Sequence, residues 1–491
     1  DIQCPLSSHI VNIIIIWVLF NVIFTIRSFH FKPLLMLLTN IFLSILFQYF
    51  TTITVANGTN VSKISVEKVS EKEYAILNED GLKQPEVKLK QCQHIDPYMD
   101  VILWSTVDAN VSNCDPVTPK ESNMIANEAE RQRYEWGIKK FAYDVVTSDK
   151  IGPRRKLSPV YHELCETLPR NISLTVSIVI IYHNEALSVL IRMLNSIFDH
   201  TPSNILQEII LYDDYSDYDT MLINHVITYG NYVQWPMKKI ITKRSNERLG
   251  LIRAKVYASR VAHGDVLIFL DSHCEVTPLW IEPLLLPIQE DSTRVVLPVV
   301  DLISAKTFEF SKAMIAKGVF NWGLEFKWKY IPWEYWDLPE NNIKPFRSST
   351  MSGGLLAIDR KYFHAMGEYD TGMEIWGVEN IEMSIRIWLC GGSILVAPCS
   401  HVGHVFRTRR PYTNKPGIDT KLYNSLRTIK IWFDDYDKYF YEKRPDAKGM
   451  EAGDLSERMK LKESLNCKPF QWYIQEIDPE LEPKKMLHEE L

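Results

Sequence analysis

Hydrophobic positions fall into three regimes along the chain. Near the start lie two apolar runs: residues 10–26, broken only by Asn12, Asn21 and Thr25, and residues 34–50, broken by Thr39, Asn40, Ser44 and Gln48. Each approaches the ~20 residues that a bilayer-spanning helix needs. Arg27, His30 and Lys32 separate them, and no small-residue cleavage site of a signal peptide stands out. One anchor preceded by sequence outside the mature protein is expected in preference to a two-span hairpin, so residues 1–50 are read as an anchor region. Residues 51–130 are polar and aperiodic, as in a stem. From residue 131 to 475 the pattern is globular, and residues 476–491 form a short tail.

Within the globular part, residues 176–181 make a β-branched run broken only by Ser177, predicting a strand buried on both faces. Residues 208–212, 265–270 and 294–298 repeat the pattern, with helical periodicity over 186–198 and 251–262 between them. Strands alternating with helices of this length predict parallel βαβ units: an α/β, Rossmann-like domain with a mostly parallel central sheet. Composition adds that the core is large, since 46% of the 491 residues are apolar and 11% aromatic. A formal charge of −6 supplies no basic excess for nucleic acid. Eight cysteines show no zinc-type spacing. N-glycosylation tripeptides begin at Asn57, Asn60, Asn110 and Asn171, and three of the four follow the anchor directly. That grouping points to a lumenal location, where disulfides persist.

Candidate chemistry sits at the predicted strand ends, where open α/β sheets bind ligands. Asp271 and His273 follow the third strand, two residues apart, and suit a divalent cation such as Mn2+ with diphosphate oxygens completing its shell. A strand-ending Asp beside a solvent His is the plainer alternative. Asp213 and Asp214 end the second strand and could accept from uracil or ribose, or form an Asx turn. His183 and Glu185 follow the first, where they could equally cap a helix. Arg248 and Gly250 combine a cation with a tight turn, as a phosphate site or a solvated face. Asp370, Trp376, Glu379 and Glu382 offer acceptors and an apolar plane for a sugar, or merely an acidic helix face. His404, with Arg407 close by, is a further ligand candidate or a structural histidine.

Taken in order, these residues resemble the polypeptide N-acetylgalactosaminyltransferases, the family that starts mucin-type O-glycosylation. The resemblance runs from about Tyr134 to Tyr473. It is carried by YHNEA (182–186), EIILYDD (208–214), GLIRA (250–254), FLDSHCE (269–275), GVFNW (318–322) and MSGG (351–354). Further carriers are WGVEN (376–380), RIWLCGG (386–392), GHVFR (403–407), DLSER (454–458) and CKPFQWY (467–473). It implies a GT-A catalytic domain, with a UDP-binding half at 131–290 and a sugar- and acceptor-binding half at 291–475. It implies Mn2+ on Asp271, His273 and His404, UDP-GalNAc as donor, and uridine contacts near His183, Asp213 or Asp214, and Arg248. Glu379 and Trp376 would stand at the sugar and diphosphate, and Arg407 and Tyr412 in a mobile loop closing over the donor. The implied reaction moves GalNAc to a Ser or Thr hydroxyl of a polypeptide with retention of the α configuration. The implied setting is a single-pass type II Golgi membrane protein facing the lumen. The resemblance also implies disulfides Cys165–Cys399 and Cys390–Cys467, with Cys274 a buried thiol.

Departures from the family pattern bear on activity. Val378 replaces a usual glycine beside Glu379, where a β-branched residue would crowd the sugar or resist a positive φ. Leu249 replaces an acidic residue, His401 stands where Arg is frequent, and Ile181 where a Thr often touches uridine. The chain ends soon after Tyr473, so no ricin-type lectin domain is expected. An active transferase is the first reading; a non-enzymatic homologue that binds partners in the secretory pathway is the second, and a changed donor sugar the third.

Overall fold

The computed structural model describes residues 125–412 and 417–483. The apolar runs, most of the stem, and the tripeptides at Asn57, Asn60 and Asn110 lie outside the described residues. Among the described residues no helix is long and apolar enough to cross a membrane.

Twelve strands are described. They are β1 (Val176–Tyr182), β2 (Leu206–Asp213), β3 (Ile240–Arg244), β4 (Val266–Asp271), β5 (Cys274–Val276) and β6 (Arg294–Ser304). The rest are β7 (Phe310–Ser311), β8 (Ala316–Phe320), β9 (Phe326–Tyr330), β10 (Phe346–Arg347), β11 (Leu356–Asp359) and β12 (Ser393–Phe406). The main sheet runs β10-β12-β6-β11-β4-β1-β2-β3, with β5 on β12 and β7 on β6; β8 and β9 make a separate hairpin. The four predicted strands and the helices Leu187–His200 and Leu251–Ser259 are present, the fourth strand longer than predicted.

The sheet is more mixed than the sequence pattern suggests. β1, β2, β3 and β4 pair in parallel, as do β6 and β12. β11 enters antiparallel between β4 and β6 and joins the two parallel groups into one sheet. Helices cover both faces, so alternate residues of one strand enter different cores. Val179 and Ile181 pack in one apolar cluster, while Ile178 and Ile180 pack in the other. That two-sided burial is why these strands read as continuous apolar runs.

Strand register sets the chemistry. Ile181 lies opposite both Asp271 and Tyr212, and Tyr182 opposite Asp213, so three strands end level. β12 then pairs with β5, placing His404 opposite Cys274, one residue from His273. Both expected disulfides are formed: Cys165–Cys399 with Cα atoms 5.6 Å apart, and Cys390–Cys467 with Cα atoms 4.2 Å apart. Cys274 is a buried free thiol. The first disulfide ties the segment ahead of β1 to the irregular part of β12, which three strands separate from β1 in the sheet. The second holds the end of helix Glu379–Leu389 to the turn between helices Ser456–Ser464 and Phe470–Glu476.

Candidate active site

At the level ends of β1 and β4, Asp271, His273 and His404 converge. One ligand atom from each lies within 4.8 Å of the others. His404 Nε2 is 3.1 Å from Asp271 Oδ2, and the two imidazole rings are 4.7 Å apart at their centroids. His273 Nδ1 is 3.1 Å from Glu185 Oε2, which leaves Nε2 free to act as a ligand. His404 Nδ1 is buried without a hydrogen-bond partner. A carboxylate and two imidazoles, one with an unpartnered buried nitrogen, fit a divalent transition ion such as Mn2+.

Electrostatics agree with that fit. Burial pushes the Asp271 carboxyl up, but the His404 hydrogen bond and nearby cations outweigh it and hold it well below the usual carboxylate range. Burial, reinforced by Arg407, lowers His273 to about 4, so its imidazole is neutral near pH 7 and able to ligate. Glu185 is likewise held ionised: burial opposes its charge, but Arg407, His273 and the Tyr143 hydroxyl overcome it.

A cavity of about 290 Å³ opens beside this cluster, lined by Ile181, His183, Arg248, Trp376 and residues 404–407 and 409–412, among others. Burial lowers His183 to about 4. Its Nδ1 lies 2.9 Å from the Asp214 carbonyl oxygen, which fixes the ring at the cavity wall. Tyr412 lies under the Arg248 guanidinium at 5.6 Å, and Arg410 spans Trp376 at 4.9 Å and Tyr412 at 5.8 Å. Residues 407–412 thus roof the cavity with cations over aromatic rings. A larger trough of about 940 Å³ adjoins it and shares His183, Arg248, Pro411 and Tyr412.

Other sequence candidates are placed differently. Asp214 does not line either cavity; it accepts from the Leu249 and Gly250 amides at 2.8 and 2.9 Å and pairs with Arg248. Gly250 is required there, because at φ +85° a Cβ would sit 2.5 Å from the Ile375 Cα. Asp213 accepts from the Ser216 amide at 2.8 Å and pairs with Arg244. Asp370 is held by Arg427 at 2.7 and 3.0 Å. Glu382 is fully buried, bound to Arg386 and to the Trp432 indole N–H at 2.9 Å. Both carboxylates hold the helices together and lie outside the cavity lining. Glu379 is 3% exposed, with its Oε2 accepting the Gly377 amide at 2.7 Å. Burial raises its pKa, partly offset by Lys255.

The sequence reading missed Tyr143, Lys255, Arg409 and Arg410. Lys255 was detectable: with Ile252, Val256 and Ser259 it shares one helix stripe, and all four are buried. Its Nζ donates to the Gly353 carbonyl at 2.7 Å, close behind Asp271. His401 occupies its arginine-like position by bonding Asp301 at 2.9 Å and the Pro398 carbonyl at 3.1 Å.

The profile "Glycosyl transferase family 2" matches residues 177–366, and "N-terminal domain of galactosyltransferase" matches residues 340–411. The "Probable N-acetylgalactosaminyltransferase 8" of Caenorhabditis elegans is 50% identical over 408 residues, covering 82% of this chain and 94% of its own. The "Inactive polypeptide N-acetylgalactosaminyltransferase-like protein 5" of Macaca fascicularis is 40% identical over 348 residues, 70% of this chain and 76% of its own. A crystal structure of GalNAc-T7 with UDP, GalNAc and Mn2+ aligns with TM-score 0.67 and 35% identity over 73% of this chain and 66% of that one. The chain spans only 56–60% of the length of several further curated relatives. Half-identity over nearly the whole of a relative, with the same fold and a convergent Asp-His-His cluster, decides the matter: the chain belongs to the polypeptide N-acetylgalactosaminyltransferase family.

Proposed function

We propose that this domain transfers GalNAc from UDP-GalNAc to Ser and Thr hydroxyls of polypeptides, with retention of configuration. The observation that carries the reading is the meeting of Asp271, His273 and His404 at the wall of the cavity. These three residues would hold Mn2+, which when bound supplies Lewis-acid stabilisation of the departing diphosphate charge. Arg407 and Arg248 add cationic donors on the cavity wall, and His183 and Trp376 offer ring faces for the nucleotide and sugar. The bond from GalNAc C1 to the β-phosphate oxygen breaks, and a bond from C1 to the acceptor oxygen forms on the same face. Among the described lining residues the carboxylates are Asp271 and Glu185, both engaged in hydrogen bonds. The departing phosphate oxygen therefore takes the hydroxyl proton. The two apolar runs and the paired cysteines support a membrane-anchored, lumenal protein of the Golgi. Turnover of UDP-GalNAc on a panel of Ser/Thr peptides with Mn2+ tests the reading; UDP binding without turnover on any peptide would transfer it to the non-enzymatic homologue.

Val378 bears on that choice. It adopts φ 73° at the N-cap of helix Glu379–Leu389, a conformation that costs a β-branched residue about 1–2 kcal/mol. Its side chain is 3% exposed and packs in the core, so the expected crowding of the sugar is not what the structure shows; the backbone strain is. Val378→Gly is expected to raise kcat/KM by about threefold to tenfold, equivalent to roughly 1 kcal/mol of strain near Trp376 and Glu379. Lost methyl packing should lower Tm by a few degrees. Equal kcat/KM in the two proteins, measured on one peptide, would show that the strained turn is catalytically silent.

A further inference from the structure

The helix Glu128–Phe141 precedes the first strand, yet its Trp136, Lys139 and Lys140 line the trough that adjoins the donor cavity. Tyr143 is fully buried, stacked on Phe141 at 5.5 Å and edge-on to Phe308 at 5.5 Å. Its hydroxyl donates to Glu185 Oε1. The other oxygen of that carboxylate accepts from the Ser272 hydroxyl at 2.7 Å, from His273 Nδ1 at 3.1 Å and from the Arg407 guanidinium at 2.8 Å. Arg407 also lies over the Tyr143 ring, 5.3 Å from its centroid. One tyrosine therefore supports the carboxylate that orients a metal ligand and the cation that roofs the cavity.

A second contact ties the same elements together from outside. Arg409 donates to the Ile138 and Lys139 carbonyls at 2.7 and 2.9 Å. These carbonyls belong to the last turn of the helix, which Ala142 closes at φ 63°. The Ile138 carbonyl also accepts from the Ala142 amide at 3.1 Å, and a cation there meets the negative end of the helix dipole. Arg407 and Arg409 thus anchor one short segment to two points of the same N-terminal unit, one buried and one exposed.

We propose that Tyr143 and the C-terminal turn of helix Glu128–Phe141 are positioning elements of the donor site: they fix Glu185, and through it His273, while seating residues 407–412 over the cavity. Glu185 then acts by orienting His273 and Arg407 rather than by touching the nucleotide itself. This rests on the transferase reading only for its kinetic consequences; the metal and nucleotide contacts can be measured without turnover.

Two variants test the proposal in the full chain. Tyr143→Phe keeps the ring, its stacking and the surface beneath Arg407, and removes only the hydroxyl. Arg409→Gln removes the exposed clamp at a side chain that carries no core packing. For Tyr143→Phe, Mn2+ affinity measured by electron paramagnetic resonance without UDP should weaken about tenfold, the lower end for partners of metal-bound histidines. For Arg409→Gln, Mn2+ affinity should hold while UDP affinity in saturating Mn2+ falls severalfold, and Arg409→Lys should restore part of it. Both melting temperatures should stay within a few degrees of wild type. A merely structural role would do the reverse: lower melting temperature with unchanged Mn2+ and UDP affinities, and that result in both variants would overturn the proposal. Should Tyr143→Phe fail to fold, Arg409→Gln decides alone, with unchanged UDP affinity counting against it. Wild type that binds Mn2+ and UDP but never turns over would remove the transferase reading and leave this one standing.

Discussion

Asp271→Asn is expected to abolish Mn2+ binding at micromolar metal and to lower turnover by about a thousandfold or more. The substitution keeps the shape and removes the charge. In the structure Asp271 Oδ2 accepts from His404 Nε2 at 3.1 Å, and the carboxyl stays ionised although burial opposes it. The asparagine carbonyl can keep that hydrogen bond, so the fold should persist. It cannot neutralise a divalent ion, and it leaves the buried Lys255 with one anionic neighbour fewer. Outer-sphere partners of metal ligands typically cost about 10–100-fold when removed, so an anionic ligand should cost more. Single groups stabilising transition-state charge are worth about 100–1,000-fold. Paramagnetic resonance of Mn2+ and peptide kinetics, run on the same preparation, check both numbers. Turnover within tenfold of wild type, with Mn2+ retained, would mean that Asp271 is an ordinary strand-ending carboxylate.

Why the sequence revealed part of this site and not the rest follows from chain distance. β1 and β4 were legible because both faces are covered, so every residue of 176–181 and 266–270 is apolar apart from Ser177. Their ends carry His183 and Asp271, and parallel register makes those ends level. His404 was legible only through family resemblance. It lies 133 residues after Asp271, on a strand that contains Pro398 and an irregular register between Ala397 and His401. No period of 2 survives such a strand, and only its pairing with β5 brings the imidazole to the cluster. β11 was missed for a different reason: four residues are too short for a pattern.

The acidic residues near Trp376 show the opposite error, where local appearance exceeded local information. Asp370 and Glu382 looked like sugar acceptors because, with Glu379, they put three carboxylates near an indole; the structure gives those two to arginines instead. Glu382 pairs with Arg386 four residues on, a helical spacing that was visible in the sequence. Asp370 pairs with Arg427, 57 residues away, which no local rule could supply. Both pairs are deeply buried, where removing one partner leaves an uncompensated charge. Their expected signature on substitution is therefore lost stability rather than a lost sugar contact.

Gly354→Ala should lower kcat/KM about a hundredfold while leaving the fold nearly as stable as wild type. A Cβ at Gly354 would stand 2.4 Å from Asp271 Oδ2, a distance that real Cβ atoms essentially never show, and a tight 3.1 Å from its Cγ. Something must move, and the backbone around Gly354 is poorly placed to do so. On one side Leu356 is fixed by its pairing with Phe269 in β4. On the other the Gly353 carbonyl is held by buried Lys255 at 2.7 Å, and Asn380 packs beneath Gly353 while its side chain donates to the Met351 carbonyl at 2.8 Å. The carboxylate of Asp271 is the softer partner, because it is the end of a side chain. It would swing away from His404 and carry the proposed metal position with it. A displacement of ~1 Å near reacting atoms costs about a hundredfold in rate. Folding loses little, since the moved group is a terminal carboxylate and not packed core. Gly353→Ala serves as the contrast: with φ +90° and Asn380 Cβ 2.8 Å from its own added methyl, it should unfold more readily, without pressing on Asp271 directly. Melting curves, Mn2+ affinity and peptide kinetics on the two variants separate the effects. Wild-type Mn2+ affinity and kcat/KM in Gly354→Ala would show that the backbone yields after all, and that this glycine is not what keeps the ligand in place.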